Sequence, residues 1–142
     1  MIPGRAQYVI LTTKDIEFGC LNIYAPNQIS ERIELWSYLN NVLPNLDWCV
    51  VGDFNMIENL TNRVVGGHIT IHGQELAAWE RFCFKLRLLD AWQSQSFMQM
   101  SSSLLFSRSD RRYGGVNVSR LDRFYLSDYF QNAGVMAKAR RP

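Results

Sequence analysis

The residues most able to do chemistry follow a short apolar run, Cys49 to Val51, that predicts a buried strand. That strand runs into Gly52 and then into Asp53 and Asn55, two residues with oxygen-bearing side chains. In an extended chain these two side chains would point to the same side, roughly 6–7 Å apart. Such a pair can bind a water molecule, a magnesium ion or a phosphate oxygen. An Asx turn that only caps the strand explains the pair equally well.

A second polar pair, Tyr24 and Asn27, stands at the end of an earlier predicted strand. Pro26 lies between them and ends that strand, because proline cannot extend a hydrogen-bonded ladder. The tyrosine hydroxyl and the asparagine amide can both bond a phosphate oxygen without adding negative charge. The alternative is a half-buried strand tyrosine followed by an ordinary turn asparagine.

A third candidate, Asp122, lies within a predicted strand over residues 118–126. Strand alternation places it on one face with Arg120 and Phe124, and this face is expected to be the more apolar of the two. A carboxylate on an apolar face requires a partner, and Arg120 is the expected one.

The elements that must position these residues follow from hydrophobic periodicity and turn signals. Their order, β-β-α-β-α-β-β-β, predicts an α/β sandwich with helices on a mixed sheet. The predicted strands are 8–13, 18–24, 47–52, 104–107, 118–126 and 134–139; the predicted helices are 30–43, with Ser30 as N-cap, and 74–89; loops or turns are expected at 59–73, 101–103 and 111–115.

Charge is distributed unevenly along the 142 residues. Residues 1–107 carry 7 Lys/Arg against 10 Asp/Glu, whereas residues 108–142 carry 8 against 3. The basic final quarter suggests an anionic partner such as nucleic acid, although a solvated surface with scattered arginines is as good an explanation. The sequence shows neither a signal-peptide pattern nor an apolar run long enough to span a bilayer. An intracellular protein, nuclear or cytoplasmic, is therefore expected.

Three segments in this order resemble the endonuclease/exonuclease/phosphatase family, and more closely the endonuclease domain of plant LINE-type (non-LTR) retroelements. They are LNIYAPNQISERIELWSYL, VVGDFNMIENLTNR and SRLDRFYLSD, and the resemblance covers about residues 18–128. It implies a four-layer αββα sandwich of the DNase I-like kind, present here in part. It also implies hydrolysis of DNA phosphodiester bonds with Mg²⁺ or Mn²⁺, and a reverse transcriptase domain encoded on the same parent element.

The resemblance also implies a role for each candidate residue. Asp53 would activate or position the attacking water, and Asn55 would help to hold the metal and the phosphate. Tyr24 and Asn27 would contact the scissile phosphate. Asp122 would orient a histidine. The metal ligands carried over in this way are Asp53 and Asn55.

Some family motifs have no counterpart within residues 1–142. The early metal-binding Glu with its preceding Asn, and the late Ser-Asp-His motif, are both missing, and residues 105–107 read Leu-Phe-Ser where the subgroup has Thr-Trp-Ser. His68 and His72 would lie roughly 13 Å apart in extended chain and could not replace the missing ligands. The sequence therefore predicts one incomplete domain over residues 1–142, with a weak metal site and little or no nuclease activity in isolation. The alternative is a non-catalytic remnant that binds nucleic acid.

Overall fold

The computed structural model describes residues 4–58, 63–64, 71–91, 108–112 and 115–133, with the backbone alone for 63–64, 108–112 and 115–119. Its strands are β1 (Ala6–Thr12), β2 (Glu17–Tyr24), β3 (Asp47–Asp53), β4 (Arg63–Val64), β5 (Leu88–Asp90), β6 (Arg108–Arg112), β7 (Gly115–Ser119) and β8 (Asp122–Ser127). Its helices are α1 (Ile29–Val42), α2 (Gly73–Leu86) and α3 (Asp128–Asn132).

A five-stranded mixed sheet in the order β1-β2-β3-β8-β5 forms the centre of the described structure. β2 and β3 run parallel, so the chain must cross over between them, and α1 makes this crossover. The other neighbouring pairs in this sheet are antiparallel. β4, β7 and β6 form a second, three-stranded sheet.

The core lies between the five-stranded sheet and the helices α1 and α2. Alternate residues of the central strands, among them Leu21, Ile23 and Val50, are almost fully buried on this face. The helices contribute large aromatic rings, and those of Trp36 and Trp79 meet edge to face with centroids 5.0 Å apart. Apolar burial and ring packing on this face stabilise the sheet together. On the other face, Ala91 and Leu126 form a smaller buried cluster.

Most of the predicted elements are confirmed, with boundaries that shift by one or two residues. The strands at 8–13, 18–24 and 47–52 are β1, β2 and β3, and the helix at 30–43 is α1. Its predicted N-cap is wrong, because Gln28 occupies that position, without a side-chain hydrogen bond to the helix. Of the turn predicted at 111–115, residues 111, 112 and 115 belong to the antiparallel strands β6 and β7, and residues 113–114 lie outside the described residues.

Two predicted elements are divided in the structure. The helix at 74–89 ends at Leu86, because Arg87 adopts the left-handed conformation and Leu88–Asp90 then form β5. The strand at 118–126 is two strands in different sheets, separated at Arg120 and Leu121. The predicted strands at 104–107 and 134–139, the connector at 101–103 and most of the loop at 59–73 lie outside the described residues.

Within the described ranges, no helix combines the length and the apolar character that crossing a bilayer requires.

Candidate active site

The register of the central sheet places Tyr24, Asp53 and Asp122 in one row across three neighbouring strands. Tyr24 pairs with Asp53 between β2 and β3, and Asp53 pairs with Asp122 between β3 and β8. Directly opposed residues present their side chains on the same face of a sheet. This is the face that the two large helices leave uncovered: Tyr24 and Asp122 are exposed and Asp53 is half-buried. The fold therefore unites three residues from separate sequence motifs.

Gly52 allows the strand that carries Asp53 to approach β2 closely. Its φ is 138°, and a Cβ atom at this position would lie 1.8 Å from the carbonyl oxygen of Ile23. Any side chain would force the two strands apart, so the position next to Asp53 requires glycine.

The chain turns immediately after Asp53, which corrects the prediction of an extended Asp53–Asn55 pair. The Asn55 N–H donates to Asp53 Oδ1 at 2.9 Å, and Asn55 has a left-handed φ of 47°. The physical reason is Phe54, which is fully buried and packs against Trp36 and Trp79, so the backbone must follow it into the core. Asp53 and Asn55 thus form an Asx turn at the end of β3.

The side chain of Asn55 ties this turn to the neighbouring strand end. Its Nδ2 donates to the Ala25 carbonyl oxygen at 2.7 Å, while the Ala25 N–H donates to the Asp53 carbonyl oxygen at 2.8 Å. On the other side, the Phe54 N–H donates to the Leu121 carbonyl oxygen at 2.9 Å. With Nδ2 engaged in this way, Oδ1 is the atom that Asn55 would offer a cation.

Arg32 of α1 holds the loop that carries Asn27. Its Nη1 donates to the carbonyl oxygens of Pro26 and Asn27, at 2.9 and 2.7 Å. The same guanidinium forms a buried ion pair with Glu75 of α2, in which Nη2 lies 3.3 Å from Oε2. Asn27 is exposed on this loop, three residues beyond Tyr24. Both helices thus fix the backbone at the predicted phosphate-contacting segment.

Arg120, the partner predicted for Asp122, binds a carboxylate of another strand. It forms a buried ion pair with Asp90 of β5, in which Nη1 lies 3.2 Å from Oδ1. The face of β8 that packs under the helices is the one with Arg123 and Tyr125, rather than the face with Asp122. Asp122 itself is exposed on the face that it shares with Phe124, and this position is compatible with a role at the surface of the site.

A buried polar cluster beneath the turn was missed by sequence reasoning. Glu58 Oε2 accepts hydrogen bonds from Trp79 Nε1 at 2.6 Å and from the Tyr125 hydroxyl at 2.9 Å, and it lies 3.5 Å from Arg123 Nη1. Arg123 also donates to the Met56 carbonyl oxygen. Burial raises the pKa of Tyr125, so the hydroxyl stays a hydrogen-bond donor. No local sequence pattern predicts this cluster, because its members are far apart in sequence.

Arg5 extends the row to a fourth strand position and was also missed. The Tyr24 N–H donates to the Arg5 carbonyl oxygen at 2.9 Å, which continues the β1–β2 register by one residue. The Arg5 guanidinium carbon lies 5.0 Å from the centre of the Tyr24 ring, within range of a cation–π contact. A positive charge therefore stands beside a row that contains two carboxylates, where it favours an approaching anion.

The residues present fit a magnesium site only in part. Mg²⁺ prefers six oxygen ligands in near-octahedral geometry. Asp53 and Asn55 offer two protein oxygens, and the described portion of the chain contains no group of three His, Cys, Asp or Glu that could hold a metal ion. No reaction step is therefore assigned to a metal here.

The fold is that of DNase I-like enzymes, the endonuclease/exonuclease/phosphatase fold, and the resemblance inferred from the sequence motifs is confirmed at this level. The AP endonuclease LMAP from Leishmania major superposes with a TM-score of 0.61 at 16% identity, over 91% of this chain and 47% of that one. The endonuclease domain of TRAS1, a telomere-specific non-LTR retrotransposon, gives 0.57 at 13% identity, over 90% and 52%.

Sequence comparison gives a relative from a transposon. The "Transposon TX1 uncharacterized 149 kDa protein" of Xenopus laevis is 24% identical over 136 residues, which are 93% of this chain and 10% of that protein. The chain thus spans about half the length of the two solved structures and a tenth of this relative. No protein-family profile matches the sequence.

Proposed function

We propose that this chain is part of a retroelement-type DNA endonuclease domain that hydrolyses phosphodiester bonds, and that the Tyr24–Asp53–Asp122 row faces the scissile phosphate. The observation that carries the proposal is the row itself, because β-sheet register brings three motif residues to one uncovered face. The similarity of the fold to an AP endonuclease and to the TRAS1 endonuclease domain supports the nuclease class.

Each residue of the row has a distinct chemical task in this proposal. Asp53 positions the attacking water and accepts its proton, while the Asn55 N–H holds one of its carboxylate oxygens in place. The Tyr24 hydroxyl donates to a phosphate oxygen, and Arg5 adds positive charge beside it. Asp122 orients a proton-carrying group supplied from outside the described residues. Asn27 contacts the phosphate from the loop that Arg32 holds.

The proposed cofactor is Mg²⁺ or Mn²⁺, which would neutralise charge on the phosphate when bound. Asp53, together with Asn55 Oδ1, would provide part of its ligands. Since two protein ligands hold Mg²⁺ poorly, we expect the 142 residues alone to nick DNA little or not at all. Residues 1–142 would then form one incomplete domain that works with further carboxylates, in an element that also encodes a reverse transcriptase.

An Asp53→Asn variant tests the assignment, because the effect of the substitution on DNA affinity should reverse between EDTA and Mg²⁺. In EDTA the substitution removes a negative charge beside the DNA phosphate, so DNA binding at low salt should strengthen. In Mg²⁺ the wild type should gain affinity and the variant should not, because the cation ligand is lost. Fluorescence anisotropy with a short duplex, repeated with and without Mg²⁺, measures both effects.

Asp15→Asn is the matched control, because Asp15 is an exposed carboxylate in the β1–β2 turn, at the opposite end of these strands. If both variants change DNA binding alike in EDTA and in Mg²⁺, the Asp53 assignment is wrong. Plasmid nicking in Mg²⁺ by the 142-residue chain that disappears in Asp53→Ala would contradict the expected inactivity while supporting the site.

A second candidate function is nucleic-acid binding without catalysis. It is favoured by the hairpin of β6 and β7, since β6 alone carries Arg108, Arg111 and Arg112. Basic hairpins of this kind bind phosphates through charge, so the affinity should fall steeply with salt and need no Mg²⁺. Salt-sensitive binding that is unchanged by Mg²⁺ and by Asp53→Asn would favour this function over the endonuclease.

A further inference from the structure

Two cysteines stand directly opposite each other on the face of the sheet that points away from α1 and α2. Cys20 of β2 pairs in register with Cys49 of β3, and the two strands are parallel neighbours. Both side chains are half-buried, and neither is in a disulfide. Neighbouring strands lie about 4.8 Å apart, so the two sulfur atoms are within reach of one small ligand.

A cavity of about 250 Å³ opens over this pair. Both cysteines line it, together with Val9 and Val51, and the amides of Gln7 and Asn22 stand at the same cavity. The surroundings are therefore mostly apolar and uncharged. This environment suits a neutral complex of a soft ion with two sulfur ligands better than it suits a hydrated hard cation.

The protonation of Cys49 agrees with a chelating role. Burial, together with the charge of the neighbouring Cys20 and a hydrogen bond between the two side chains, raises the pKa of the Cys49 thiol to about 11. At neutral pH Cys49 is thus protonated and a poor nucleophile towards ordinary alkylating agents. A ligand that bonds both sulfurs can still bind to the protonated thiols, because the second bond forms within the complex that the first bond has created.

We propose that Cys20 and Cys49 form a chelating dithiol site for thiophilic ions that are satisfied by two sulfur ligands, the class to which trivalent arsenic belongs. Structural zinc, by contrast, requires four ligands. The pair lies four residues before Tyr24 and Asp53 on the same strands, about 13 Å along the sheet from the candidate active site. The dithiol site is therefore distinct from the row.

The binding step balances without any change of oxidation state. With phenylarsine oxide, two arsenic–sulfur bonds form and the two sulfur–hydrogen bonds break. The arsenic-bound oxygen takes both protons and leaves as one molecule of water. Because the departing water carries off both thiol protons, the step releases no free proton, so the observed affinity should change little between pH 7 and pH 9.

Titration of the reduced chain with phenylarsine oxide, followed by intact mass spectrometry, tests the site. We expect one arsenic per chain. Cys20→Ser and Cys49→Ser should each weaken arsenic binding by about 100-fold or more. A single sulfur binds without the high effective concentration that a second, neighbouring sulfur provides. Cys83→Ser is the control, since Cys83 lies on α2 in the core on the other side of the sheet and should leave binding unchanged.

A measurement on the unaltered chain keeps the test independent of variant folding. A dithiol competitor, 2,3-dimercaptopropanol, should remove the arsenic, whereas a monothiol at the same sulfur concentration should not. Equal removal by both competitors would overturn the proposal. So would a stoichiometry of zero, or loss of binding in Cys83→Ser with none in Cys20→Ser.

Discussion

The two faces of the five-stranded sheet differ in what covers them and in the residues that they carry. Under the helices, Leu21, Ile23 and Val50 are at most 1% exposed. On the opposite face, the next residues of the same strands are half-buried or exposed, and they include Tyr24 and Asp53. Because side chains alternate along a strand, one short segment serves the core and the candidate site at the same time.

The covered face also holds the polar groups that shape the site without touching it. Arg123 and Glu58 lie under the turn at residues 53–56, and Arg32 holds the loop after β2. These groups are buried, so their loss should lower the free energy of unfolding. Groups on the open face should instead affect binding.

The largest expected effect is on the covered face, for Arg123→Met. This guanidinium side chain is fully buried, and its removal takes away the cation that lies 3.5 Å from Glu58 and the donor to the Met56 carbonyl oxygen. Breaking a buried ion pair by removing one partner costs about 3–5 kcal/mol of unfolding free energy. Urea denaturation followed by tryptophan fluorescence measures it.

Arg87→Met is the matched control, because Arg87 forms exposed ion pairs with Asp47 and Asp128 and its side chain is 44% exposed. Surface pairs of this kind contribute at most about 1 kcal/mol. Equal losses of unfolding free energy in the two variants would show that the buried and the exposed ion pairs contribute alike to stability.

The second largest effect should come from Gly52→Ala. The new methyl group would meet the Ile23 carbonyl oxygen, and the φ of 138° strains any residue with a side chain. We expect a loss of at least about 2 kcal/mol of unfolding free energy. Gly73→Ala at the start of α2, where a Cβ atom meets nothing within 4 Å, should stay within about 0.5 kcal/mol. A neutral Gly52→Ala would mean that β2 and β3 can separate without cost.

Several parts of the fold and the site could be predicted from the sequence because their signals are local. The apolar run before Gly52 and the proline after Tyr24 mark strand ends, and the helical spacing of Leu35, Trp36 and Leu39 marks α1. Three such motifs in a recognised order were enough to predict the fold. They also supplied Tyr24, Asp53 and Asp122, which the sheet then brings into one row.

Features that depend on register and on distant contacts could not be predicted in this way. Arg5 joins the row only through the β1–β2 pairing, which a hairpin turn sets and composition does not reveal. The partner of Arg120 is 30 residues away, and that of Arg32 is 43 residues away. The Asn55 turn depends on how deeply Phe54 is buried, which is a property of the whole core.

Alkaline pH provides a third comparison, centred on Cys49, which is half-buried on the face opposite α1 and α2. Burial and Cys20 raise its pKa to about 11, whereas an unfolded cysteine titrates near 8.5. Between roughly pH 9 and 11 the unfolded chain therefore holds fewer protons than the folded chain, so stability must fall as the pH rises. The stability that is linked to this raised pKa is fully present below pH 8. Urea denaturation at pH 8 and pH 10.5 should show a smaller alkaline loss in Cys49→Ala than in the wild type.

The smallest change in stability, and a selective change in binding, is expected for Tyr24→Phe. The ring and its contact with Arg5 remain, so the unfolding free energy should stay within about 0.5 kcal/mol of the wild type. The lost hydroxyl removes one hydrogen bond to phosphate, which corresponds to about 0.5–1.5 kcal/mol, or about a twofold to tenfold weaker affinity for duplex DNA at low salt.

Tyr38→Phe is the control for this variant, because Tyr38 is an exposed tyrosine on α1, away from the row. Removal of its hydroxyl should change neither stability nor DNA affinity. If the two phenylalanine variants bind DNA equally well, Tyr24 does not contact the phosphate, and the open face would then act through charge alone. If only Tyr24→Phe weakens binding while both variants unfold at the wild-type urea concentration, the sheet separates binding from stability residue by residue along β2.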